Sequence, residues 1–306
     1  MDAETVTIDY DNCKEFFTGT HPNITSLKWR VGPLYAGILH RCPNLRELDY
    51  QDEIMETVVD DILEEHGSDT PSSRVTELIK EDLEADATKP LPLRVDLLWL
   101  KDTSHLEVLK ATRCGLMSLE GIGFCPKLRI LQCFENKIAS LEPLAGCPEL
   151  VDLDCTNNRI ISLTGIGLCP KLEKLACTSN PIQSLVSIRS CPFLRTLYVS
   201  GTSIGTLDGI QACAHLEKLF CADCKLTSLD GIEYCGKLTI LDCMDNQITS
   251  LDILIPMQDQ IDFIMYGGNP IIKLPDHIQA SLDRRMALLK AEIDADTDTE
   301  SIETVI

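Results

Sequence analysis

From residue 106 onward the apolar residues of this chain recur on two superposed periods. Leu106, Leu128, Leu150, Leu172, Leu194, Leu216 and Leu238 follow one another at 22-residue intervals, and Ile261 continues the series after 23. Three residues after each start stands a second apolar residue (Leu109, Leu131, Leu153, Leu175, Leu197, Leu219, Leu241, Ile264), and two further on a small or apolar one. Alternation over so short a stretch predicts a β-strand with one face in the core. Eight residues after the start, Asn occupies five of the eight units (Asn136, Asn158, Asn180, Asn246, Asn269), and Leu or Ile follows two later. A side-chain amide there can bond backbone groups of its own and adjacent units that would otherwise be buried without partners. The rest of the unit reads S-L-x-G-I-x-x-C-P-x in several copies, as in Ser118 to Lys127 and Ser162 to Lys171. Gly and Pro mark this as a compact return too short for a long helix. A fixed period of this length predicts a solenoid, a stack of thin coils that each add one strand to a continuous sheet.

The segments LRILQCFENKI, LVDLDCTNNRI and LTILDCMDNQI resemble the leucine-rich-repeat consensus LxxLxLxxNxL, a likeness that runs over residues 106–274 with weaker copies upstream. The 22-residue period and the S-L-x-G-I segment are similar to repeats of the phosphatase-1 regulatory leucine-rich-repeat subunit and of bacterial internalins. The resemblance implies an α/β fold: a right-handed superhelical arc with a parallel sheet on its concave face and short helical or irregular convex segments.

Outside the regular units the pattern divides the chain further. Ile24, Leu27 and Trp29, then Cys42-Pro43 with Leu45, Leu48 and Tyr50, read as two degenerate repeats behind an amino-terminal cap, giving a first region 1–50. Residues 51–92 leave the register. They hold two acidic amphipathic stretches, Asp52 to His66 and Ser73 to Asp86, that predict a helical insertion serving as a docking element or as an elaborated cap. The array proper is placed at 93–274. Pro275-Asp276 is a helix start, and Ile278, Leu282, Met286, Leu289 and Ile293 form one stripe of a capping helix over 275–293. The acidic tail 294–306 is expected to be disordered, and its last residues, Glu-Thr-Val-Ile, resemble a carboxyl-terminal peptide ligand of a PDZ-type groove.

Charge narrows the class of partner. A formal net charge of −21 opposes phosphate backbones and anionic headgroups, so neither nucleic acid nor membrane is expected as a partner. The first ten residues lack an apolar core behind a basic stretch, and no run of about 18 apolar residues follows. The expectation is a non-secreted protein of a reducing compartment, cytoplasmic with the nucleus also open.

Fifteen cysteines could suggest a disulfide framework or metal chemistry, but the repeat register accounts for thirteen of them. Cys133, Cys155, Cys177, Cys221 and Cys243 lie five residues after a start, and Cys125, Cys147, Cys169, Cys191, Cys213 and Cys235 lie nineteen after one; Cys114 and Cys224 take the Asn position. These are inward columns, where thiols act as small apolar residues. The one C-x-x-C, Cys221-Ala-Asp-Cys224, lacks a second pair or a nearby His. The six histidines show no spacing known from hydrolase or metal motifs, and no phosphate-binding loop is present. No cofactor and no catalytic residue are expected.

On each strand the side chains at two, four, six and seven after the start should face outward on the inner curve. There Tyr198, Phe220, Ile240, Met244, Phe263 and Met265 gather toward the carboxyl end, with Asp152, Asp154, Asp223, Asp242 and Asp245 around or between them and Phe134 further back. Aromatic anchors in a charged rim predict a protein-binding surface on a scaffold or adaptor. Two other readings are a phosphatase regulatory subunit and a structural component of a larger, including viral, assembly. Oligomeric state is not legible.

Overall fold

A computed structural model describes residues 4–8, 20–21, 23–29, 39, 42–50, 96–101, 103–272 and 274–276. The acidic insertion, most of the capping helix and the tail lie outside the described residues. The described strands are β1 (Glu4–Ile8), β2 (Ile24–Trp29), β3 (Glu47–Tyr50), β4 (Val108–Ala111), β5 (Ile130–Gln132), β6 (Asp152–Asp154), β7 (Lys174–Ala176), β8 (Thr196–Tyr198), β9 (Lys218–Phe220), β10 (Ile240–Asp242) and β11 (Phe263–Met265). They form one open parallel sheet in sequence order. This is the expected arc, with the sheet on the concave face and 3-10 turns such as Ile122–Phe124 and Ile166–Leu168 on the convex one.

The repeat sets the register. Leu27, Leu48, Leu109, Leu131, Leu153, Leu175, Leu197, Leu219 and Leu241 pair in one row across the sheet. All are fully buried. Beyond the short strands the ladder continues, as Cys155 N–H donates to the Ala176 carbonyl and Asn157 N–H to that of Thr178, both in the next coil. Strand β1 was not singled out by the pattern; it pairs with β2 and turns Val6 toward the core.

The amide ladder is as anticipated. Asn158 Nδ2 donates to the carbonyls of Cys133, Cys155 and Thr156 at 3.0–3.2 Å, while its Oδ1 accepts the Ile138 N–H at 2.9 Å. Asn136, Asn180 and Asn246 repeat this arrangement. The preceding residue is left-handed in successive coils even where it is not glycine: Arg113, Glu135, Asn157, Ser179, Asp223 and Asp245 have φ of 50–55°.

The return segment is built from three further devices. Ser118, Ser140, Ser162, Ser184 and Ser250 each accept the N–H two residues ahead at 3.0–3.2 Å, a local turn that starts the return. At Gly165 (φ +107°) a Cβ would sit 2.2 Å from the Leu141 carbonyl oxygen, so close coil-on-coil packing excludes a side chain. The thiols of Cys147, Cys169 and Cys191 then donate to the carbonyls of Ile122, Leu144 and Ile166 at 3.5–3.6 Å. All fourteen described cysteines are buried free thiols.

Where the register breaks, the sheet does not. Strand β3 pairs residue for residue with β4, from Glu47↔Val108 to Tyr50↔Ala111. The chain resumes its coil at Leu97, whose N–H donates to the Glu120 carbonyl at 2.8 Å, and Trp99 packs edge-on against Tyr50 at 5.5 Å between ring centroids.

Candidate interaction surface

The sheet face opposite the leucine row carries the second, fourth, sixth and seventh residues of each coil, because strand side chains alternate in direction. Each predicted site residue lies on this face. Asp154, Tyr198, Phe220, Ile240, Asp242, Met244 and Met265 are half-buried, whereas Asp223, Asp245 and Phe263 are exposed. In-register pairing makes columns of them: Lys110, Gln132, Asp154, Ala176, Tyr198, Phe220, Asp242 and Met265 run across β4 to β11.

The strongest local feature is in that column. Tyr198 and Phe220, on neighbouring strands, stack with ring centroids 4.5 Å apart and planes 7° from parallel. The ladder spacing of about 4.8 Å makes this contact available to any two rings in register. Ile240 pairs with Phe263 one column away. Met244 lies beside the next coil, its Cε 3.4 Å from where a Cβ of Gly267 would be. Phe134 does not join them. Two coils, with Thr156 and Thr178 in its column, separate it from Ser200 beside Tyr198.

Two of the acids have local duties that the residue pattern did not reveal. Asp154 Oδ1 accepts the Thr156 N–H at 3.0 Å, and Asp242 Oδ1 accepts the Met244 N–H at 3.1 Å, an i to i+2 bond that steadies the strand end. Asp152 Oδ2 meets Lys174 Nζ at 3.2 Å, while its Oδ1 is buried without a hydrogen-bond partner among the described residues. Nearer the amino end, Lys110 Nζ bonds Glu47 at 2.8 Å and, as the leading cause, holds that carboxyl below its usual range.

A second concavity lies along the edge where the strands begin. Arg129, Glu149, Val151, Lys171, Glu173 and Phe193 line a shallow cleft of about 450 Å³. Phe193 stacks on His215 at 6.2 Å, and Lys171 pairs with Glu149 at 2.5 Å. The residues immediately before and after each coil start carry it, positions the sequence pattern left without a role.

The described thiols are buried and held in their neutral form. Burial pushes Cys42, Cys125 and Cys191 up to about 11, and Cys147, Cys169, Cys213, Cys235 and Cys243 up to about 12. Both members of the C-x-x-C pair are raised for the same leading reason. Among the described residues no group of three or more His, Cys, Asp or Glu is placed to hold a metal ion.

With this geometry in place, the family comparison is decisive for the repeat. A family model for leucine-rich repeats, in two copies, matches residues 126–168 and 214–256. The chain carries leucine-rich repeats. Among solved structures, this leucine-rich-repeat chain is similar to an internalin, inlF, of Listeria monocytogenes at 18% identity and a TM-score of 0.51, over 79% of this chain and 74% of that one. The functional domain of InlJ from Listeria monocytogenes, which includes a cysteine ladder, matches at 16% identity and a TM-score of 0.55; 83% of this chain covers 51% of it. A leucine-rich-repeat protein of Leptospira interrogans matches at 20% identity and a TM-score of 0.54, over 85% of this chain and 70% of that one. At such identities the likeness is one of fold. No curated protein sequence matches. Among the described residues no helix is long and apolar enough to cross a membrane.

Proposed function

We propose that this leucine-rich-repeat protein is a non-catalytic scaffold that holds a protein partner on the carboxyl-terminal half of its concave face. The observation that carries the reading is the Tyr198–Phe220 stack, 4.5 Å between centroids and only half-buried, continued by Ile240, Met244, Phe263 and Met265 on the next strands. An apolar group of this kind loses little conformational freedom when covered, because the sheet already fixes its spacing. Rings and methionines are the residue types that anchor protein interfaces. Asp223, Asp242 and Asp245 supply a charged rim that limits which partners fit. Solenoid arrays use extended concave surfaces in this manner.

The test is affinity capture on the full chain with the captured proteins identified by mass spectrometry, repeated with Tyr198→Ala and Phe220→Ala combined. The expected outcome is one retained protein that the double variant no longer holds, with the variant's stability lowered by about 1 kcal/mol for the lost stack. Undiminished capture by the double variant would falsify the assignment of the face.

A further inference from the structure

We infer that the edge of the sheet where the strands begin is a second docking surface, whose cleft takes an extended acidic peptide segment with its carboxylate on Arg129 and an apolar side chain against Phe193. This surface is separate from the concave face. It is carried by the residues just before and just after the coil starts, and neither Tyr198 nor Phe220 belongs to its lining.

Three observations meet there. The first is an interrupted column of charge. Backbone bonds stack Arg46, Glu107, Arg129, Val151, Glu173 and Arg195 in that order, the N–H of each donating to the carbonyl of the one before. Charge alternates along the column except at Val151. On either side of that gap the ions are satisfied, Arg46 meeting Glu107 at 2.9 Å and Arg195 meeting Glu173 at 3.5 Å. Arg129 stands next to the valine and has no ion pair among the described residues. The second observation is that the cleft's own carboxylates are taken. Glu149 accepts from Lys171 Nζ at 2.5 Å, and Glu173 is the partner of Arg195. Arg129 is thus the one charge of the lining without a counterion among the described residues.

The third is an aromatic anchor at the far end. Phe193 is 54% exposed, yet His215 stacks on it at 6.2 Å with the planes 21° apart, which supports the ring and leaves much of it bare. Covering a ring supported in this way costs little side-chain freedom. Three rungs of about 4.8 Å separate the coils of Arg129 and Phe193, roughly 14 Å, a distance that an extended chain spans in about four residues. A guanidinium presents a planar fork that matches a carboxylate, whereas a phosphate would bring a second negative charge toward Glu149 and Glu173. The net charge of −21 does not oppose this contact, because physiological salt screens charges beyond about 8 Å.

The experiment selects dodecapeptides from a random library on the immobilised full chain at physiological ionic strength and discards those that also bind Arg129→Glu. The retained peptides are expected to share an acidic residue about four positions from an aromatic or branched aliphatic one. Exchanging that acid for lysine should weaken binding to the unaltered chain about tenfold and create binding to Arg129→Glu, a reversal that a merely structural role of Arg129 would not give. Phe193→Ala should weaken the selected peptides about tenfold, and the combined Tyr198→Ala, Phe220→Ala variant should bind them unchanged. No retained peptide, no recurrent acid, a charge exchange without reversal, or indifference to Phe193→Ala would overturn the inference. Loss of the peptides by the Tyr198, Phe220 double variant would overturn it as well, since their contacts would then belong to the concave face.

Discussion

A single Asn side chain in this array closes hydrogen bonds for two coils, and its removal therefore exposes the economy of the ladder. Asn158→Ala would leave the Ile138 N–H without its acceptor in a dry interior and would strip one of two amide donors from each of the Cys133 and Cys155 carbonyls, which keep those of Asn136 and Asn180. We expect a loss of about 3 kcal/mol, read from urea unfolding, and a loss under about 1 would mean that water or neighbouring backbone takes over. The residue before it tells a different story. Ser179 adopts φ 54°, in the left-handed region that side chains resist. Ser179→Gly should gain about 0.5 kcal/mol because relief of strain slightly exceeds the extra chain entropy, while Ser179→Val should cost more than about 1. The Asn column could be read from the chain itself because amides recur there at a fixed interval. The left-handed column could not, since Arg, Glu, Asn, Ser and Asp fill it and share no propensity strong enough to announce a conformation that the neighbouring coil imposes.

At the level of one coil, the strand and the return obey different rules, and legibility follows that division. Strands announce themselves because leucine rows are buried on one face. The return depends on contacts with the previous coil, as Gly165 shows: its missing Cβ makes way for the Leu141 carbonyl. Gly165→Ala is expected to destabilise by about 2 kcal/mol or more, combining a positive φ with a backbone clash, and the effect should appear as a lowered thermal midpoint without loss of the repeat's circular-dichroism signature. The candidate surface was legible to the same extent. Position in the unit told which side chains leave the core, and the six apolar residues do share a face. The parallel stacking of Tyr198 on Phe220 needed the actual placement of the neighbouring coil, and the backbone bonds of Asp154 and Asp242 needed the local geometry at the strand end.

Across the whole molecule the buried thiols act together. Each described cysteine whose ionisation is shifted has a folded value raised above an ordinary value of 9.0, by burial first. For a raised acid, the stabilising contribution is complete below the unfolded pKa and is lost as pH climbs toward the folded one. The window therefore opens near pH 9 and extends to about 12. Within it, stability should fall by about 1.4 kcal/mol per pH unit for every thiol ionised only in the unfolded chain, so the losses of many columns add. Urea midpoints measured from neutral pH upward should hold steady and then drop steeply above about pH 9, and a flat profile through that point would contradict the burial of the columns. A thiol reagent at neutral pH should correspondingly react slowly with the folded chain and quickly after denaturation.

The direct pairing of β3 with β4 across the break in the repeat has an evolutionary meaning. Because β3 and β4 stay in register across the added residues, the connection between two strands is free to lengthen while the strands keep step with their neighbours. An array built this way can accept new sequence at one coil without renegotiating the others, since each coil's obligations end at its two neighbours.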